Sequence, residues 1–240
     1  MGKPKPLAEV IIDNSVFEKI KKHQKRFLGP DEEKWPEVMG LLVGLSKKDK
    51  SYIYRAIPMT HGTEIDFEFS NEHYVLYALI DETLFNYKTQ IQGWYHTHPG
   101  RKVFFSQDDV INHLSYQTGN SHAVGLVYDL KEEKPGVSTG FEIYQLDDPN
   151  QGQFSTYHNI PFQLADLKDK EKDKLSEGFY YKEEIFNDLF YLARDQDRVP
   201  LSVLEQNYYK SNQEIKDILN KAIKKEETTY RLEGETLILK

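Results

Sequence analysis

Two histidines, His96 and His98, stand two residues apart where the apolar segment 91–95 runs into Pro99-Gly100. In an extended chain residues i and i+2 face the same side, so both imidazoles can reach one ion. Pro99 cannot continue as an interior strand residue and Gly100 frees the backbone, so the chain turns there. Asp109 falls in the first turn of the next predicted helix, from which it can swing back toward the pair. Two neutral imidazoles and a carboxylate leave a fourth position open, the pattern of a catalytic rather than a structural zinc site. Zinc there lowers the pKa of a bound water from about 15.7 to about 7. Ser106-Gln107-Asp108-Asp109 also reads as a plain helix-capping box that needs no metal. A His-x-His pair alone is a weak signal. The pair leaving a strand, the Pro-Gly turn, and Ser and Asp at a fixed offset are together far more specific.

The run Gly93-Trp94-Tyr95-His96-Thr97-His98-Pro99-Gly100, followed by Ser106-x-x-Asp109, resembles the signature H-x-H-P-x6-S-x-x-D of the JAMM (MPN+) zinc metalloproteases. Upstream, Glu37-Val38-Met39-Gly40-Leu41-Leu42-Val43-Gly44 is similar to that family's E-x-x-G-x-L-x-G segment. The resemblance spans residues 8–150 and is greatest to the deubiquitinating subunits of the proteasome lid and the signalosome. It implies one Zn2+ with a bound water, held by His96, His98 and Asp109. It implies Glu37 as the general base and Ser106 as a donor to the developing oxyanion. The chain departs from the lid and signalosome pattern at Lys102-Val103-Phe104-Phe105, where those relatives carry Gly-Cys-Trp-Leu. Loop length is kept there, so ligand geometry is expected to survive while substrate contacts differ. The other histidines (His23, His61, His73, His113, His122, His158) are not read as ligands; His113, one turn after Asp109, is the candidate for a supporting position.

Composition narrows the chemistry. The 240 residues contain no cysteine, which excludes disulfides, thiolate nucleophiles and Cys-rich zinc sites. A net charge of −8 argues against nonspecific binding to nucleic acid, which depends on neutralising phosphates. Mean hydropathy is −0.68, no apolar run spans a bilayer and no signal peptide is visible, so a cytoplasmic protein with no membrane partner is expected.

The elements that must position these residues follow from pattern. Residues 8–12 read as a strand, and Asp13, Asn14 and Ser15 cap a helix to about 26 with Val16, Phe17, Ile20 and His23 on one face. Residues 38–45 form a continuous apolar run, as in a strand buried on both faces. A charged turn at 47–50 leads to a returning strand at 52–57. Then come a loop at 61–63, an extended piece at 66–69, a helix over 71–87, the short strand 91–95 and a helix over 106–117. A buried strand at 122–128, a turn at 131–136 and an edge strand at 139–145 follow. The expected fold class is α/β, a mixed sheet flanked by helices; the resemblance implies an MPN/cytidine-deaminase-like domain over 1–165.

Residues 166–178 are nearly all charged and read as a linker or solvated helix. Residues 179–240 read as helices at 181–193, 202–208 and 211–225 and a hairpin over 228–240 turning at Glu233-Gly234, the element order of a winged helix. From Asp166 onward 14 basic residues face 17 acidic ones, so this unit is expected to contact protein rather than DNA.

The resemblance implies a zinc isopeptidase that hydrolyses the bond between the C-terminus of ubiquitin or a ubiquitin-like protein and a lysine or peptide amine. The substrate tail would lie along a strand edge. The alternatives are a related hydrolase acting on a sulfur-carrier-like protein or small adduct, a noncatalytic MPN scaffold, and a nucleic-acid-binding regulator using the winged helix.

Overall fold

The computed structural model describes residues 6–25, 27–28, 30–61, 89–167, 198–200 and 230–239, with isolated positions at 77, 81, 84, 213, 216, 217 and 220. Apart from those isolated positions, which are helical, the expected piece at 66–69, the helix over 71–87, the charged stretch from 168 and the three C-terminal helices lie outside them. Chain contacts divide the molecule into Met1–Glu171 and Lys172–Lys240.

The first unit is a mixed α/β layer structure, in agreement with the expected class. In chain order it holds β1 (Glu9–Asp13), α1 (Asn14–Lys25), β2 (Val38–Lys47), β3 (Lys50–His61), β4 (Gln90–Thr97), α2 (Gln107–Gly119), β5 (Val124–Lys134), β6 (Ser138–Leu146), β7 (Tyr157–Asn159) and β8 (Phe162–Ala165). The strands form one sheet in the order β7-β6-β5-β4-β2-β3-β1-β8. β1 runs parallel to β3 and to β8, and β4 runs parallel to β5; the other pairs are antiparallel.

Helices cover both faces, which is why the central strands are apolar without alternation. Toward α1, Val16 and Ile20 pack with Leu42, Ile53, Tyr95, Val124 and Leu126. On the opposite face Met39, Trp94, Phe105, Val110 and Val127 form the core beneath α2. Along β4 the pleat therefore sends Trp94 to one face and Tyr95 to the other. Two glycines make the central crossing fit. Gly93 has φ +142, and a Cβ there would run into the Val124 carbonyl; at Gly40 it would meet the Tyr95 ring.

Several boundaries depart from expectation. β4 extends through Thr97, so His96 is a strand residue rather than the first of a loop. β5 runs to Lys134 through a register irregularity after Tyr128, and the turn falls at 135–137. β6 is not an edge, because β7 pairs with it. The short strands β7 and β8 carry too little pattern to be seen in the sequence.

In the second unit β9 (Arg198–Pro200), β10 (Tyr230–Glu233) and β11 (Thr236–Leu239) form an antiparallel sheet in the order β10-β11-β9. The expected hairpin is present and turns at Gly234-Glu235; β9 was not anticipated. Among the described residues no helix is long and apolar enough to cross a membrane.

Candidate metal centre

The end of β4, the start of β2 and the first turn of α2 meet at one end of the sheet. His96 and His98 bring their Nε2 atoms within 2.8 Å of each other. Asp109 lies with Oδ1 3.1 Å from His96 Nε2 and Oδ2 3.6 Å from His98 Nε2. Relative exposures are 0 % for His96, 2 % for His98 and 4 % for Asp109, so water does not screen the group. Among the described residues this is the one cluster of ligating side chains with donor atoms all within 4.8 Å of one another.

The donor set fits zinc. Tetrahedral bonds of about 2.0–2.1 Å place donors about 3.3 Å apart, and the observed separations bracket that spacing. His98 Nδ1 lies 3.1 Å from the Lys102 carbonyl, an acceptor only, so Nδ1 carries the proton and Nε2 keeps its lone pair. Burial pushes the His96 imidazole below its ordinary pKa, outweighing the Asp109 carboxylate beside it. Burial pushes the Asp109 carboxyl up. Its pairing with the His96 and His98 imidazoles and the hydrogen bond from the Ser106 N–H outweigh that and hold it well below the usual range. Neutral imidazole beside ionised carboxylate is the state that ligates a cation.

Around the ligands, the local sequence explains each placement. Ser106 caps α2: its Oγ accepts from the Asp109 N–H at 3.2 Å, while its own N–H donates to Asp109 Oδ2 at 2.7 Å. Both readings of Ser106-x-x-Asp109 thus coincide, because the capping box is what points Asp109 back at the histidines. Trp94 stacks on His96 at 4.8 Å and donates to His113 Nδ1 at 3.0 Å. His113 lies outside the ligating cluster and holds the ring that stacks on His96. Phe104 packs on His98 at 4.9 Å.

Glu37 sits just before β2, 3 % exposed, with Oε1 3.8 Å from His98 Nε2. It also pairs with the Arg101 guanidinium. The structure brings together all five expected residues: Glu37, His96, His98, Ser106 and Asp109.

One participant was not anticipated. Buried Asp129 accepts from Gly100 N–H at 2.9 Å, Lys102 N–H at 2.8 Å and Lys131 N–H at 2.9 Å. It fixes the turn after His98, including Lys102 at φ +70, where the lid and signalosome pattern has glycine. Nothing in residue type or spacing marks it, since two of its three partners are backbone groups of a loop distant in sequence.

A mixed sheet with this buried His-His-Asp group at the strand ends is the architecture of an MPN-type metal domain. Residues 5–121 match the family described as JAB1/Mov34/MPN/PAD-1 ubiquitin protease, which supports an MPN/JAMM domain over that part of the chain. The chain is 37 % identical over 101 residues to the NAD(+) hydrolase TcpA of Theionarchaea archaeon, covering 42 % of this chain and 30 % of that protein. It is 25 % identical over 130 residues to COP9 signalosome complex subunit 5 of Kluyveromyces lactis, covering 53 % of this chain and 35 % of that one. The chain thus spans about a third of the length of these curated relatives.

Proposed function

We propose that the chain is a zinc-dependent isopeptidase acting on the bond between the C-terminus of ubiquitin or a ubiquitin-like protein and a lysine or peptide amine. The observation that carries this reading is the convergence of His96, His98 and Asp109 with a buried carboxylate, Glu37, 3.8 Å from one of them. His96 Nε2, His98 Nε2 and an Asp109 oxygen would hold the ion. When bound, zinc supplies Lewis acidity toward a carbonyl and makes water acidic enough to attack near neutral pH. Glu37 takes the proton of the attacking water and returns it to the leaving amine. Ser106 Oγ accepts from the α2 backbone, which leaves its hydroxyl proton to donate to the oxyanion. A noncatalytic scaffold would have no use for the full set of five residues.

The second unit we read as winged-helix-like and protein-contacting. Its hairpin carries exposed Glu233 and Glu235 among balancing cations, with Lys216 paired to Glu235 at 3.1 Å and Arg231 to Glu233 at 2.9 Å. Strong salt-dependent DNA binding would defeat that reading.

The main test is cleavage of ubiquitin-like fusions by wild type and Glu37→Gln, with and without a chelator. Both proteins should carry zinc. Wild type should cleave, chelation should abolish cleavage, and Glu37→Gln should lose on the order of 10²–10⁴ in rate. Equal rates for the two zinc-loaded proteins, or none in wild type, reject the isopeptidase. NAD+ belongs in the same assay because of the similarity to TcpA; Glu37-independent cleavage of NAD+ would place the activity elsewhere.

A further inference from the structure

Thr97, between the two histidines, points to the opposite face of β4 from His96, as the pleat requires. There it is 1 % exposed and meets Gln24, also 1 % exposed, from the last turn of α1. The antiparallel ladder between β2 and β4 has its last backbone pair at Met39 and His96. The next position is bridged by a side chain: Val38 N–H donates to Thr97 Oγ1 at 3.0 Å. Thr97 Oγ1 in turn donates to Gln24 Oε1. Gln24 Nε2 donates to the Pro36 carbonyl at 3.2 Å.

These bonds close a ring whose donors and acceptors are consistent at every step. Its backbone portion is Pro36-Glu37-Val38. Glu37 is therefore gripped on both sides, through the carbonyl before it and the N–H after it. Without the ring the chain ahead of Met39 has no backbone tie to β4, although β4 carries the ligand that Glu37 must serve.

We propose that Thr97 and Gln24 are positioning residues for Glu37, fixing the reach of its carboxylate toward the metal from the far side of the sheet. The inference rests on the reading of Glu37 as the base. Threonine suits the place because one hydroxyl must accept from Val38 and donate to Gln24 at once. Serine preserves both bonds; valine, of nearly the same shape, preserves neither. For Gln24, methionine keeps the volume and removes both polar ends.

The experiment compares full-length wild type, Thr97→Val, Thr97→Ser and Gln24→Met. It measures zinc content, amide hydrogen exchange at Val38, and kcat and KM on a ubiquitin-like fusion that wild type cleaves. In Thr97→Val and Gln24→Met zinc should be retained and KM should hold within about twofold, while kcat falls on the order of 10²-fold. Val38 exchange should accelerate in Thr97→Val while Leu41 and Leu42, deeper in β2, stay protected. Thr97→Ser should remain near wild type in every measurement. Wild-type kcat in Thr97→Val overturns the proposal. So does an equal loss in Thr97→Ser, or loss of zinc in Thr97→Val, which would assign the residue to the ligand strand alone. If wild type cleaves no fusion, the isopeptidase reading fails separately, and unchanged Val38 exchange in Thr97→Val then overturns the ring on its own.

Discussion

A carboxylate that accepts three backbone N–H bonds has little freedom left, and in Asp129 that rigidity is passed to His98 through the Lys102 carbonyl. Asp129→Ala should therefore lower stability by about 2–3 kcal/mol, since buried donors lose their partner. It should also weaken zinc binding by about 10–100-fold, the usual effect of removing support behind a ligand; thermal unfolding and chelator competition check the two. His113 makes a pH prediction. Burial pushes its pKa down to about 3, against hydrogen bonding to Gln117 and the Asp109 charge. The unfolded chain then binds one more proton than the folded chain between about pH 6.5 and that value. Stability rises with pH across this window and is lost on acidification, by at most about 1.4 kcal/mol per pH unit for this residue. His113→Gln should flatten that slope, as read by urea unfolding of chelated protein at pH 7, 6 and 5. The cluster of His96, His98 and Asp109 was legible because type and spacing place two imidazoles on one side of a strand and a carboxylate on the following turn. Asp129, Gln24 and Thr97 were not. Each acts by bonding backbone or side-chain groups brought near only by the fold, and local pattern carries no trace of that.

At the scale of elements, two strand ends and a helix start build the centre: β4 delivers the histidines, β2 begins beside Glu37 and α2 opens on Asp109, while Asp129 braces the turn after His98 from the middle of β5. β4 is the member that all others depend on, and Gly93 is what lets it lie between β2 and β5. Its φ of +142 is open to glycine, and a Cβ would collide with the Val124 carbonyl. Gly93→Ala should cost at least about 3 kcal/mol in urea denaturation, from strain and clash together. Zinc content should fall in step with the folded fraction. The sequence disclosed this strand from its apolar run, yet stopped it at 95 because two histidines and a threonine read as polar. Their burial against α1 and α2 is a tertiary fact. The same cause hid the ends of β5 and the short β7 and β8, whose few residues are specified by the strands they pair with rather than by their own pattern. β1, α1, β2 and α2 were legible because capping residues and long apolar periods define them locally.

On the scale of the whole molecule, the unit Met1–Glu171 contains every residue of the metal centre and both cores that flank the sheet. A chain ending at Glu171 should still unfold cooperatively and bind zinc as the full chain does, judged by calorimetry with and without added metal. Loss of both would make the remaining residues part of the folding unit. The closing contact of that unit lies far from the centre in sequence. β1 pairs with β3 on one side and with β8, residues 162–165, on the other. His96, His98 and Asp109 all precede residue 110, so a ribosome releases these three residues well before the strand that seals the sheet. During synthesis β1 then presents a bare edge to its surroundings until β8 has been made. The vulnerable interval for this protein is the translation of the last fifty or so residues of the domain, when pairing of β1 with a neighbouring nascent chain competes with the arrival of β8.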